Sequence, residues 1–249
     1  MMTEAAREAA TLGGTLVSAH AGAAAFVARS VARYGGRERW QRLRLLLAPS
    51  SLTGLLPRLK GVGHSFDLPA IVEIQPAQAR AVFQDYPGPG STGRFEAGLV
   101  GLGGDAPAEH RASFRGARKW RRWSPLDALY FFGYALTHYH AVPFILPDAE
   151  LRAWDERRRI LTVAFPASVH THCAVQSFYF DDSGLILRHD YVAEIVGAWA
   201  RGAHFWREYR EVDGFPVATH RRVLARLGRR PIPLVALDAR LGVAGFSFG

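Results

Sequence analysis

Phe178-Tyr-Phe-Asp-Asp-Ser-Gly-Leu-Ile-Leu-Arg-His-Asp-Tyr191 reads as two strands joined by a tight turn. Aromatic and branched residues on either side favour extended chain. Between them, Asp181-Asp-Ser-Gly184 supplies residues that tolerate a positive φ. A second hairpin follows, with His204–Val212 and Phe215–Leu224 flanking Asp213-Gly214. Ile160–Phe165, Thr171–Phe180, Gly184–Val192 and Pro233–Leu237 complete the set of strands. Consecutive hairpins make an antiparallel meander over about 158–247, because parallel strands would need long crossovers.

Upstream the pattern changes. Pro125–His140 carries Leu126, Leu129, Tyr130, Gly133, Tyr134 and Thr137 at helical spacing. Ser124 suits the N-cap, Pro125 the first turn and Asp127 the positive helix start. This helix is apolar nearly all round, which predicts burial on more than one side. His138 and His140 diverge at its end and read as C-terminal caps first and ligands second. Between the helix and residue 64 lie short alternating runs: His64–Leu68, Ile71–Gln75, Arg80–Tyr86 and Arg94–Val100. A first strand is expected at Leu45–Ala48. A helix is expected over about 15–34, ended by Gly35-Gly36.

The chain has 249 residues, 49% of them hydrophobic, enough for a packed core in one domain. Net charge is +9, and Lys occurs only at Lys60 and Lys119, so the basic charge is guanidinium. Arg111–Trp123 holds six basic residues with Trp120 and Trp123 interleaved. No helix-turn-helix, RNP or zinc motif accompanies them, so a solvated loop or an anionic-substrate rim is expected and no nucleic-acid partner. Cys173 is the sole cysteine, which excludes an internal disulfide or a CxxC site. The N-terminus lacks the basic start and leucine-rich centre of an export signal, and no run is long and apolar enough to span a membrane. A cytoplasmic location is the expectation. No GxGxxG, GxxxxGK[ST], GxSxG or HExxH pattern is present, so no cofactor and no metal is expected.

The hairpins Phe178–Tyr191 and Tyr209–Pro216 resemble those of the LolA/LolB-like lipoprotein-carrier superfamily, which includes VioE-like half-barrels. The resemblance implies a curved sheet that holds a hydrophobic molecule. With the meander and the buried helix, the expected fold class is α+β and mainly antiparallel β. A half-barrel carries helices on its concave side and leaves an apolar cavity beneath the sheet.

Candidate site residues follow from alternation. On a strand, His170, His172, Gln176, Phe178 and Phe180 share one face. His189 and Tyr191 share a face on the next strand, with Arg188 and Asp190 on the other. Two imidazoles at alternate positions also suit a metal, but no third ligand is legible. His170, His172, His189, Tyr191 and Asp190 are therefore the candidate acid–base groups. Gln176, Phe178, Phe180, Tyr130, Tyr134 and Trp206 are the candidate ligand contacts. The expected function is cofactor-independent cyclisation, isomerisation or dehydration of an apolar small molecule. The alternative is a non-catalytic carrier of a lipid or hydrophobic metabolite. Oligomeric state is not legible.

Overall fold

The computed structural model describes residues 20–62, 71–110, 114, 116 and 120–248. The run expected at His64–Leu68, the helix start at Thr15 and most of 111–119 lie outside them. The helices are α1 (20–33), α2 (Arg37–Gln41), α3 (Leu55–Lys60) and α4 (Pro125–Ile145). The strands are β1 (Leu43–Thr53), β2 (Val72–Gln75), β3 (Arg80–Gln84), β4 (Thr92–Glu96), β5 (Leu99–Leu102), β6 (Ala108–Glu109) and β7 (Glu150–Asp155). They continue with β8 (Ile160–Ala164), β9 (Val175–Phe180), β10 (Ile186–Val192), β11 (Arg201–Val212), β12 (Phe215–Leu227) and β13 (Arg230–Phe248).

Among the described residues all the strands form one antiparallel sheet, ordered β6-β5-β4-β3-β2-β1-β13-β12-β11-β10-β9-β8-β7. Two meanders are welded where β1 pairs with β13, Leu45 opposite Phe246 and Leu52 opposite Ala239. The edges β6 and β7 do not pair, so the sheet is open. α4 connects those two edges along the chain and lies across the sheet's inner face. The expected hairpins are present: Gly184 has φ 92°, and Asp213 and Gly214 have φ 50° and 76°. Asp181 Oδ1 accepts from the Ser183 and Leu185 N–H groups, which fixes the first of these turns.

Several boundaries differ from expectation. Arg94–Val100 is two strands, because Ala97 and Gly98 turn with φ 46° and 97°. α4 continues past His140 to Ile145, with Pro143 inside it. His138 and His140 are thus mid-helix residues, not caps. The strand expected from Thr171 begins only at Val175, and residues 165–174 are irregular.

α4 begins as the sequence predicts. Ser124 Oγ accepts from Asp127 N–H at 3.2 Å, while Asp127 Oδ2 accepts from Ser124 N–H at 2.8 Å. The helix packs closely on β2–β5. At the closest approach, a Cβ on Gly133 would sit 2.3 Å from Phe95 Cβ of β4. Gly133→Ala is expected to destabilise by at least about 2 kcal/mol, since overpacking exceeds the gain in helix propensity. An unchanged urea midpoint would refute this.

On its other side α4 reaches the C-terminal strands only through long side chains. Tyr139 meets His204 of β11 at 4.6 Å between ring centroids, and Trp206 at 6.3 Å. The sheet therefore wraps α4 as a half-barrel, tight against the face toward β2–β5 and looser against the face toward β10–β13. α1 closes one end, burying Ala23, Phe26 and Val27 against Leu161, Phe178, Phe180 and Ile186. Ser30 Oγ donates to the Gly184 carbonyl at 2.7 Å there.

Candidate functional site

The looser side leaves space. A cavity of about 160 Å³ lies between α3, α4 and β10–β13. A second chamber of about 70 Å³ shares Phe131, Tyr139, Tyr191, Val223 and Leu237 as walls with the first. A small third chamber adds Trp206 and adjoins the second at Tyr139, His140 and Arg221. The first chamber opens between α3 and the 193–200 turn, where Leu59 and Trp199 are each 64% exposed.

Strand register explains the lining. One cross-strand row runs Leu161, Phe178, His189, His204, Val223, Leu237. Directly opposed residues on neighbouring strands face the same side, so both imidazoles point inward. One step along, Tyr191 opposes Gly202, which opposes Ala225. Gly202 and Ala225 are small, and the first chamber occupies the room they leave. One step the other way, Trp206 opposes Arg221.

The polar end of the first chamber is a hydrogen-bonded relay. His189 Nε2–H donates to Gln176 Oε1 at 2.6 Å. Gln176 Nε2 donates to the Cys173 carbonyl at 2.6 Å and to Thr171 Oγ1 at 3.0 Å. Tyr134 bonds Thr171 at 3.2 Å, and Tyr139 donates to Tyr191 at 3.3 Å. His189 Nδ1 and both ring nitrogens of His204 are buried without a hydrogen-bond partner among the described residues.

Burial is the leading cause of the shifts at His189, His204, Tyr134, Tyr139 and Tyr191, and at His138 and His140 of α4. It pushes His138 down to about 4, against a bond to Gln176, and His140 down to about 3, helped by the Arg221 charge. His189 and His204 fall well below the ordinary histidine value through burial, then through neighbouring positive charge that includes Arg221. Tyr134, Tyr139 and Tyr191 are raised by burial. These histidines and tyrosines are therefore uncharged near neutrality, and the charged side chains lining the chambers are Arg221 inside and Arg201 in the first chamber.

The expected site residues divide into three groups. His172, Gln176, His189, Tyr191 and Tyr134 line the first chamber, and Trp206 lines the third. Tyr130, Phe178 and Phe180 do not line a chamber. Tyr130 is packed against Phe95 and Phe114, Phe180 against Phe26, and Phe178 stacks on the back of His189 at 4.6 Å. His170 sits in the α4 wall, 3.3 Å from Tyr130 Oη, with its ring against Gly98. His170 and His172 precede β9, so strand alternation does not orient them. Asp190 corrects the candidate acid–base set. It faces the opposite side of β10, where Arg188 holds it at 2.6 Å and Tyr179 Oη donates to it at 3.1 Å. Among the described residues no three His, Cys, Asp or Glu side chains converge as metal ligands.

Solved structures similar to this chain include the following three. A LolA superfamily protein from Nitrosomonas europaea has 7% identity, covering 90% of this chain and 92% of that one, with TM-score 0.49. A DUF1329 family protein from Desulfovibrio piger has 12% identity, 92% coverage of both chains and TM-score 0.42. A putative outer membrane lipoprotein-sorting protein domain from Vibrio parahaemolyticus has 9% identity, 90% and 91% coverage, and TM-score 0.38. No family model and no curated protein sequence matches the chain. Among the described residues, no helix is long and apolar enough to cross a membrane.

The residues that sequence reasoning missed are Arg221, Tyr139 and the role of His204. A signal for Arg221 was present. It alternates with Val223 and Ala225 on β12, so a guanidinium stands on a face otherwise apolar.

Proposed function

We propose that the protein binds a hydrophobic small molecule in the chambers between α4 and β10–β13 and carries it chemically unchanged. The observation that supports this reading is the pair of adjoining apolar chambers, the first open at Leu59 and Trp199 and lined inside by buried histidines and tyrosines. Acid–base catalysis works best with groups that titrate near the working pH. His189 and His204, held well below the ordinary histidine value, and His140 at about 3 are weak bases, and the buried phenols are weak acids. The same burial suits a carrier, because neutral imidazoles and phenols in the first chamber stay compatible with an apolar guest.

Native mass spectrometry of freshly purified protein is expected to show a bound species that organic solvent releases. After delipidation, Nile red, a neutral apolar dye, is expected to bind at one dye per chain with a blue-shifted emission. A ligand-free mass together with no saturable dye binding would sink the carrier reading. Turnover of a released ligand to a new product would return the cavity to catalysis.

A further inference from the structure

Among the described residues, Arg221 is the guanidinium that lines the second and third chambers, Arg201 lining the first, and the sheet holds Arg221 in place. Its guanidinium lies 3.7 Å from the Trp206 ring centroid, and its Nε donates to the Ala218 carbonyl at 3.1 Å. The residue is 5% exposed. Nη1 is buried with no hydrogen-bond partner among the described residues. Among the described residues, the groups named around the charge are the phenols of Tyr209, Tyr34 and Tyr139 and the imidazoles of His140, His189 and His204. Two of those phenols are already committed. Tyr209 donates to the Ile186 carbonyl at 2.7 Å, so Tyr34 must donate to Tyr209 at 2.7 Å, while Ile186 N–H donates to Tyr34. A guanidinium does not deprotonate in proteins, and an isolated buried charge is costly. Arg221 thus presents an unspent donor and an unbalanced positive charge to the second and third chambers.

The second chamber holds a further donor. His204 lines it with two unpaired ring nitrogens, and a neutral imidazole carries a proton on one of them. The chamber is small and adjoins the larger apolar one, with Tyr139, Tyr191 and Val223 lining both. Head and tail compartments of different chemistry therefore share a wall. One unpaired positive charge balances one negative charge, whereas a phosphate monoester near neutrality brings more than one.

We propose that the guest is an amphiphile with a single carboxylate, of the fatty-acid type. Its head pairs with Arg221 in the inner chamber, and its chain lies in the outer chamber toward the Leu59–Trp199 mouth. The proposal rests on the carrier reading above and adds the chemistry of the head group.

The test is displacement of Nile red from full-length, delipidated protein by dodecanoate, dodecanol and dodecyl phosphate. A charge-assisted hydrogen bond predicts that wild type prefers dodecanoate over dodecanol by about 10- to 100-fold. In R221M that ratio is expected to fall to near one, and R221K is expected to keep part of it. Circular dichroism checks that R221M folds. Should it not fold, R221Q and the ligand-induced thermal shifts of wild type report the same ratio. A wild-type ratio near one, or an undiminished ratio in R221M, overturns the Arg221 anchor while leaving the carrier reading intact. Dodecyl phosphate binding more tightly than dodecanoate overturns the carboxylate assignment. Failure of all three compounds and the dye removes both readings.

Discussion

Lowering the pH from 7 toward 4 is expected to unfold the protein cooperatively, with a midpoint at about pH 5. Four buried histidines have pKa values depressed by burial: His138, His140, His189 and His204. The Arg221 charge adds to the depression at His140, His189 and His204. Unfolded, each titrates near the ordinary histidine value of about 6.5. The stability these neutral side chains allow is fully present above that value. It is lost as pH falls, because the unfolded chain takes up protons that the folded chain refuses. His138, at about 4 when folded, alone accounts for a loss of about 3 kcal/mol by pH 4. Together the four steepen the dependence to as much as about 5 kcal/mol per pH unit, comparable to a small protein's whole stability. The carboxylates act in a different window. Burial opposes ionisation of Asp127, but hydrogen bonds from His110 and Ser124 prevail and hold it below its usual range. Its contribution is lost only near and below about pH 4. The check is the urea midpoint measured from pH 7.5 to 4.5, with His204→Gln expected to flatten the slope by one proton. A midpoint independent of pH across that range would show that these imidazoles are not buried neutral.

The parts of this fold that the sequence carries are those decided by neighbours in the chain. Asp-Gly and Asp-Asp-Ser-Gly announce their turns because the positive φ they adopt is a local property. Alternation alone separates His189 and Tyr191 from Asp190, because a strand has period two. Ser124, Pro125 and Asp127 started α4 for the same local reason. What stayed hidden depends on partners far away in sequence. Glu150–Asp155 is an edge strand with little apolar alternation, so nothing but its pairing with β8 marks it. The weld of β1 to β13 joins opposite ends of the chain, and no local signal carries such a pairing. Ala97 turns at φ 46° although it is not glycine, which is why β4 and β5 read as one run. The site suffered likewise. His170 and His172 look like alternating strand residues, yet residues 165–174 leave the sheet and bring both rings against Tyr134 of α4. Phe178 faces inward as expected, but α1 and the stacked His189 ring cover it.

Replacing Ala225 by Trp is expected to abolish binding, raising the dissociation constant for Nile red by at least about 100-fold, or about 3 kcal/mol. Ala225 faces the first chamber directly opposite Gly202, and Tyr191 lies on the far side of that glycine. The hollow thus exists because β11 and β12 place two small residues together where their neighbours in the same face are His204 and Val223. An indole at this position competes with the guest for the same volume. The fold should tolerate it, since Ala225 is only partly buried and the added ring enters existing space. Thermal stability of the ligand-free variant is therefore expected to hold or rise, which separates a filled chamber from a broken fold. Leu227→Trp is the control. It lies two residues further along β12, is 69% exposed and belongs to none of the chambers, so its dye binding should match wild type. Undiminished binding by a folded A225W protein would place the guest somewhere other than beneath the sheet. Equal loss in both variants would assign the effect to the strand and not to the space it encloses.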